Sequence, residues 1–347
     1  MSRNVLVIGN GFDLAHGLKT SYNDFLGCVR DELAGRTGIS APWVNEFKSI
    51  IKTNGFIKFF LEYENEIPGW VDCESLMRYM IGEIEEFFIN YERYSPNGKE
   101  FFKSKIPFKQ IDVLEKFDLF DNIMHYANDT EYIFKDTYFN TKYGLIGQEV
   151  LKFLKVQLDD LIRALQIYLQ YYMPVLRDSM LKMGIPTKAQ IASINPSYVI
   201  SFNYTDTYKV YGIDSKDVYH VHGSLEKGNM VLGYNDEDPD NLDFVYFKKY
   251  FQRIQKLTGD LDEEKIIQRG TDGFPEYPMM HFYGHSMDKT DGDIIGKLVS
   301  MSIGFVIYTY NQEDYEKKVI NIIDIFGKER ATEKIQSGWI KFVPCDK

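Results

Sequence analysis

Cysteine is scarce in this sequence, and the residues present are far apart. Among 347 residues there are three cysteines, Cys28, Cys73 and Cys345, and no two of them form a CxxC pair. This spacing argues against a zinc ribbon or a disulfide framework, and it indicates a reducing compartment.

Long apolar runs and blocks of positive charge are also missing. No run approaches the roughly 18 apolar residues that a membrane-spanning helix needs, and the first strand begins too close to Met1 for a signal segment. The formal net charge is -11, and no dense Lys/Arg block offsets it, so a nucleic-acid partner is not expected. We therefore expect a soluble cytoplasmic protein with no membrane partner.

Apolar and aromatic residues, by contrast, are abundant. Hydrophobic residues make up 44% of the chain and aromatic residues 15%, which is ample for a packed core in one large domain or two unequal ones. Short β-prone runs, several of them ending in Gly, Asn or Asp, predict strands. These runs lie at 4–10, 197–206, 217–225, 229–236, 279–288, 304–311 and 338–343.

Between the first strand and the others, apolar residues recur at helical spacing. This spacing predicts helices at 21–35, at 73–94 and at 144–181, the last interrupted by Pro174, whereas 95–143 carries no secure pattern. A further amphipathic helix at 313–327 is expected to end at Gly327.

The order of these elements predicts an α/β fold with a mainly parallel, Rossmann-like sheet and a large helical insertion after the first strand. The α/β nucleotide-binding domain is expected to comprise residues 1–40 and 191–347, and the helical insertion residues 41–190.

The first strand ends in a glycine turn. Gly9 and Gly11 match the first two positions of GxGxxG, but Leu14 occupies the third, and no second strand follows within about 30 residues. A conventional dehydrogenase is therefore disfavoured. Two hypotheses remain: a tight strand-to-helix turn, or a turn whose amides bind a phosphate at a helix N-terminus.

Polar residues follow four of the predicted strands, directly after each apolar run. Because the carboxyl ends of parallel strands share one edge of a sheet, these residues are expected to form one pocket. The four groups are Asn10-Gly11-Phe12-Asp13, Asn203-Tyr204-Thr205-Asp206, His222-Gly223-Ser224 and Gly284-His285-Ser286.

Several segments resemble the AbiH family of bacterial phage abortive-infection proteins. They are "VLVIGNGFDLAHGLKTSYNDFL" (5–26), "WVDCES" (70–75), "SFNYTDT" (201–207), "HVHGSL" (220–225) and "FYGHSMDKTDGDII" (282–295). This resemblance implies a role in phage defence and a phage-derived trigger as one partner.

A more distant resemblance is to sirtuins and to the sirtuin-like NAD hydrolases of phage defence. The matching residues, in the same order, are Gly9-Asn10-Gly11, Asp24-Phe25, Ser201-Phe202-Asn203-Tyr204, His222-Gly223 and Gly284-His285-Ser286. This similarity implies a sirtuin-like fold that holds NAD as substrate or ligand, with His222 exchanging protons and Gly284 and Ser286 beside the adenosine ribose.

The sequence departs from that pattern at three places. Leu26 replaces the arginine after Asp-Phe, Thr205 stands where those families have Asp, and the cysteine-rich zinc module is missing. The last departure argues against protein deacetylation, and no metal is expected.

Several of these residues also have a structural interpretation. His220 and His222 share a strand face by period 2, so one of them is expected to be structural. Asn203 and Asp13 suit caps, and Asp24 suits a capping box. His285 and Asp288 could hold ribose hydroxyls or pair with each other, and His16 is expected to be a surface or cap residue.

The sequence therefore predicts a phage-defence NAD glycohydrolase that cleaves the nicotinamide–ribose bond, with His222 and Asn203 as catalytic residues. The expected NAD-binding residues are Gly9, Asn10, Gly11, Phe12, Asp13, Asp24, Phe25, Thr205, Asp206, Gly223, Gly284, His285, Ser286 and Asp288. A nucleotide sensor that does not cleave its ligand and a nuclease toxin are the alternatives. The helical insertion is a candidate surface for homo-oligomers.

Overall fold

The structure is a computed structural model of the chain. It describes residues 3–66, 73–95, 100–116, 119–128, 131–140, 144–145, 147–178, 185–235, 244–258, 260–271 and 273–346. Parts of three sequence predictions lie outside these residues: 70–72 of the family resemblance, 146 and 179–181 of a helix and 236 of a strand.

The chain divides into two compact units. The first comprises Met1–Ser21, Leu169–Val231 and Gln252–Lys347, and the second comprises Tyr22–Tyr168 and Leu232–Phe251. Each unit is therefore built from segments that are discontinuous in the sequence.

The strands follow one another along the chain as β1 (Asn4–Ile8), β2 (Glu100–Phe102), β3 (Met124–Asn128), β4 (Glu131–Phe134), β5 (Phe139–Asn140), β6 (Gly144–Leu145), β7 (Tyr198–Ser201), β8 (Val218–His220), β9 (Gln268–Arg269), β10 (Pro275–Glu276), β11 (Met279–Tyr283), β12 (Gly304–Thr309) and β13 (Ile340–Pro344).

The α-helices are α1 (Asn10–Ala15), α2 (Tyr22–Leu33), α3 (Pro42–Thr53), α4 (Gly55–Glu66), α5 (Cys73–Tyr94), α6 (Phe108–Lys116), α7 (Leu119–Ile123), α8 (Gly147–Ile167), α9 (Met173–Asp178), α10 (Ala189–Ile194), α11 (Lys249–Gln255), α12 (Glu263–Ile266), α13 (Gly292–Ser300), α14 (Gln312–Phe326) and α15 (Lys328–Gln336). A π-helical turn, Tyr168–Tyr172, joins α8 to α9.

The first unit contains a six-stranded sheet in the order β13-β12-β11-β1-β7-β8, and every neighbouring pair is parallel. This confirms the predicted α/β fold with a mainly parallel sheet. Numbered by their order along the chain, the six strands lie as 6-5-4-1-2-3, which is the Rossmann order. The direction of winding changes between β1 and β11, and ligands of open α/β sheets bind at such a switch point.

Both faces of this sheet are covered, as the unbroken apolar runs predict. Val5 and Val7 of β1 pack into one core with Ile200 and Phe282. On the opposite face Leu6 and Ile8 pack with Val199, Tyr283 and Phe12. Because successive side chains of β1 pack into the two cores in turn, the strand is packed on both faces. Its carboxyl end is thereby held in a fixed position.

The second unit is mainly helical. Its core includes Phe25 of α2, whose ring lies 6.4 Å from that of Phe47 and 5.7 Å from that of Tyr168. The unit also contains a small antiparallel sheet in the order β2-β4-β3, within residues 95–143, for which no secure pattern was found.

Three segments differ from the sequence prediction. Residues 229–235 form no strand but a buried loop with one isolated bridge, Tyr234 to Lys248, because their backbone groups bond to turns and not to a neighbouring strand. The six-residue helix α1 was not predicted. Pro174 does not break the third predicted helix in its middle but lies in the first turn of α9, where a missing N–H costs little.

Candidate active site at the carboxyl edge of the parallel sheet

The turn after β1 lies backbone to backbone against the turn after β11. Gly9 N–H donates to the Tyr283 carbonyl at 3.3 Å, and Gly11 N–H donates to the Gly284 carbonyl at 2.8 Å. A Cβ on Gly11 would lie 2.8 Å from Cα of Gly284, and one on Gly284, where φ is +68°, would lie 2.0 Å from the Phe12 nitrogen. Both turns therefore need glycine in order to approach each other.

The amides of the glycine turn are used within the fold. Besides Gly9 and Gly11, Phe12 N–H donates to the Gly9 carbonyl at 2.8 Å. Asn10 is exposed, and its Oδ1 accepts a hydrogen bond from Thr20 at 2.6 Å. These three amides satisfy carbonyls of the chain itself.

Asn203 lies directly after β7 and is 6% exposed. Its side-chain Nδ2 donates to the Gly9 carbonyl at 3.0 Å, and its backbone carbonyl accepts from Nδ1 of His220 at 2.9 Å. The carboxamide thus ties the end of β7 to the glycine turn and does not cap the following helical turn.

Asp13 lies inside α1, where its side chain is 1% exposed. Its Oδ2 accepts a hydrogen bond from Thr205, whereas its buried Oδ1 has no partner among the described residues. Burial raises the pKa of Asp13 to about 6, although contacts with Thr205, Thr207 and Asn203 oppose this shift. The N-cap of α1 is Gly9, so the cap hypothesis for Asp13 is wrong.

His222 and Asp291 form a buried pair. Nε2 of His222 lies 2.9 Å from Oδ1 of Asp291, and both side chains are nearly inaccessible to solvent. A carboxylate accepts a hydrogen bond, so Nε2 carries the hydrogen and Nδ1 is the nitrogen at which His222 can take up a proton. The ring of Phe202 packs edge-on against His222 at 5.5 Å.

His285, in the turn after β11, approaches the same carboxylate. Its Nδ1 accepts a hydrogen bond from the Met287 amide at 2.9 Å, which places the ring hydrogen on Nε2, 3.7 Å from Oδ2 of Asp291. The ring of Phe202 lies 4.2 Å from that of His285. One carboxylate thus lies between two imidazoles, with a phenyl ring against both.

Asp291 was not identified from the sequence. It lies in "MDKTDGDII", a segment that supported the family resemblance, but this segment contains three acidic residues, at 288, 291 and 293, and nothing in their spacing selects one. The only available signal was the position of Asp291 just before an amphipathic helix, α13.

The two histidines after β7 have different partners. β8 ends at His220, and His222 lies in the turn beyond it, so the period-2 prediction of a shared face was wrong. Burial lowers the pKa of His220, which bonds to the Asn203 carbonyl, while His222 faces Asp291. His220 therefore bonds within the sheet edge, to the Asn203 backbone, whereas His222 bonds to a carboxylate.

His16 is fully buried, so the prediction of a surface residue was wrong, but it is the C-cap of α1, which confirms the alternative prediction of a cap residue. Its Nδ1 lies 2.6 Å from the Phe12 carbonyl and its Nε2 lies 2.6 Å from the Tyr211 hydroxyl. A carbonyl only accepts, so Nδ1 donates and the Tyr211 hydroxyl donates to Nε2. Burial lowers the pKa of His16, in keeping with a neutral ring.

The side chains or backbone groups of three other expected site residues bond to residues outside the His222–Asp291 pair. The exposed Asp206 carboxylate pairs with Lys209 at 2.7 Å. Asp288 caps the Thr290 amide at 2.9 Å and does not pair with His285. Ser286 is exposed, and its carbonyl accepts from Asn321 at 2.9 Å.

Three further residues were expected to bind NAD. Asp24 and Phe25 lie on α2 in the second unit, where Phe25 is a core residue. Gly223, at φ +75°, shapes the turn after His222, where a Cβ would lie 2.1 Å from the Asn229 carbonyl oxygen.

The fold and site define an α/β protein with a Rossmann-ordered sheet and a buried histidine–aspartate pair at its carboxyl edge. The chain belongs to the bacteriophage abortive infection AbiH family, whose model matches residues 5–303. Membership of this family gives the protein a role in phage abortive infection. The whole chain matched no curated protein and no solved structure.

No helix in the described part of the chain is long and apolar enough to cross a membrane. Across the same residues, no three His, Cys, Asp or Glu side chains form a group that could hold a metal ion.

Proposed function

We propose that this abortive-infection protein binds NAD at the carboxyl edge of its parallel sheet and hydrolyses the nicotinamide–ribose bond. The observation that supports this most is the 2.9 Å contact between His222 and Asp291, beside the switch point at which Asn203 bonds to the glycine turn. Rossmann-ordered sheets bind dinucleotides at this position, and hydrolysis of NAD needs a base there.

In the proposed reaction, a water oxygen attacks the anomeric carbon of the ribose. The bond from that carbon to the ring nitrogen breaks, and its electron pair neutralises the nicotinamide cation. The water proton passes to Nδ1 of His222, and the buried Asp291 carboxylate stabilises the imidazolium that forms. The products are ADP-ribose, nicotinamide and one proton.

Asn203 suits the task of orienting the reactants. A carboxamide both donates and accepts, so it can direct a ribose hydroxyl and the attacking water together. Its bond to the Gly9 carbonyl fixes the plane of the amide before substrate arrives. We assign Gly223, Gly284 and His285 to the walls of the same site.

Nicotinamide release from NAD tests this proposal. Wild-type protein is assayed alone and with lysate from phage-infected cells, and His222→Ala and Asn203→Ala are expected to reduce the rate by about 100-fold or more. His125→Ala is the matched control, since that histidine is exposed on β3, and it should retain the wild-type rate.

Two results would overturn the hydrolase. Saturable NAD binding without nicotinamide release under either condition would leave a sensor module. Metal-dependent degradation of RNA or DNA by the purified protein, without NAD turnover, would leave a nuclease toxin.

A further inference from the structure

The proposed substrate carries two phosphates, and the glycine turn provides few hydrogen-bond donors for them. The amides of Gly9, Gly11 and Phe12 all donate to carbonyls of the chain. Leu26, at the position where the sirtuin pattern has an arginine, is buried and apolar. Phosphate charge in a protein with a net charge of -11 requires a cation from elsewhere.

Arg253, on α11, is a buried cation with unused hydrogen-bonding capacity. The residue is 4% exposed, and its Nη2 pairs with Oδ2 of Asp293. Its Nη1 is also buried and has no hydrogen-bond partner in the described part of the chain. A guanidinium has five donors in a planar fork, and one carboxylate on Nη2 leaves the Nη1 side for a second anion.

The surroundings of Arg253 connect it to the catalytic pair. Asp293, its partner, lies in the first turn of α13, two residues after the Asp291 that holds His222. Lys256 follows α11, and its side chain donates to the Met230 carbonyl. Val231, the residue after Met230, donates its N–H to the His222 carbonyl at 2.8 Å. The start of α13 therefore connects Arg253 to Asp291, and residues Met230–Val231 connect the end of α11 to His222.

We infer that Arg253 is the cation of the candidate site and that its Nη1 binds a phosphate oxygen of the substrate; the inference rests on the proposed function. The planar fork of arginine matches two oxygens of one phosphate, which is the usual reason for arginine at such positions. Asp293 is 44% exposed at its side chain, against 5% for Arg253, and it orients the guanidinium from the solvent side.

Inorganic pyrophosphate is the direct probe, with its binding measured by titration calorimetry. Arg253→Gln should weaken its binding by at least 10-fold. Asp293→Asn removes the competing carboxylate and should tighten binding several-fold. Arg330→Gln, at an exposed arginine on α15, is the matched control and should bind as wild type does.

Asp293→Asn keeps the inference falsifiable if Arg253→Gln fails to fold. A purely structural Arg253–Asp293 pair predicts no gain in pyrophosphate affinity in that variant, and the absence of a gain would overturn the inference.

Comparison of substrates separates this inference from the proposed function. Arg253→Gln should raise KM for NAD and for nicotinamide mononucleotide, yet leave turnover of nicotinamide riboside, which has no phosphate, at the wild-type level. If wild type cleaves NAD and Arg253→Gln leaves KM unchanged, the inference is wrong and the hydrolase stands. If wild type binds pyrophosphate through Arg253 but cleaves nothing, the hydrolase is wrong and the anion site stands.

Discussion

The carboxylate of Asp291 lies 2.9 Å from Nε2 of His222, although 69 positions separate the two residues in the sequence. Asp291 also lies 3.7 Å from Nε2 of His285. The carboxylate therefore selects the tautomer of His222 that leaves Nδ1 as the basic nitrogen, and it favours the charged ring after proton transfer.

Asp291→Asn should reduce nicotinamide release by about 100-fold or more, since an amide can bond to His222 but cannot stabilise its cation. The acid limb of the pH profile of kcat/KM should also move to lower pH, because loss of the nearby negative charge lowers the pKa of the imidazole. Steady-state rates between pH 5 and 8 measure both effects. Asp214→Asn, at an exposed carboxylate, is the control; a lower rate with an unmoved acid limb would make Asp291 merely structural.

Gly284→Ala should destabilise the protein by about 3 kcal/mol or more, because its φ is +68° and the new Cβ would lie 2.0 Å from the Phe12 nitrogen. Urea denaturation measures the free energy of unfolding. Gly296→Ala is the matched control: it lies inside α13 with nothing within 4 Å, so alanine should stabilise by about 0.5–1 kcal/mol. Equal stability of the two variants would contradict the backbone contact.

Asp13 should make stability depend on pH. Its folded-state pKa is about 6 against 3.8 for the ordinary group, so the folded state binds the proton more tightly than the unfolded state. The stability associated with that proton is present below about pH 4 and is lost as pH rises through about 6, a change of about 3 kcal/mol.

Asp13→Asn removes this titration. The difference in unfolding free energy between wild type and Asp13→Asn should therefore change by about 2.4 kcal/mol in favour of the variant between pH 4 and pH 7. Urea denaturation across that range is the measurement, and a constant difference would show that Asp13 is not perturbed.

Tyr211→Phe should destabilise the first unit by about 1–2 kcal/mol. The hydroxyl donates to Nε2 of His16 at 2.6 Å and accepts from the Lys188 amide at 2.9 Å, so its loss leaves both groups without that partner. Thermal unfolding measures the effect. Tyr277→Phe, at an exposed tyrosine, is a control of the same chemistry, and equal losses in both variants would argue against the His16–Tyr211 bond.

The predictable parts of this protein were those governed by local periodicity. Helix α5 occupies Cys73–Tyr94, the predicted range, because a long amphipathic pattern persists there through six turns. The six strands of the parallel sheet were predicted from apolar runs. Met230, Val231 and Leu232 form a similar run, and they are buried without pairing, since burial alone does not decide between strand and loop.

The residues missed from the sequence depend on contacts between distant segments. The burial of His16 depends on Tyr211, 195 positions later. Arg253 and Asp293 lie 40 positions apart, and a guanidinium in a helix otherwise indicates a solvated face. The pairing of Asp291 with His222 depends on the strand order, which places the carboxyl ends of β11 and β8 at the same edge of the sheet.

The central position of β1 has a consequence for how the protein is made. Its neighbours are β7, about 190 residues later, and β11, about 270 residues later, so during translation the first strand leaves the ribosome with no partner. At about 5–20 residues per second, β1 waits roughly 15 to 55 seconds for β11. Asn203, His222 and Asp291 therefore come together only after β11 has been made, so the candidate site is absent from nascent chains that end before Asp291.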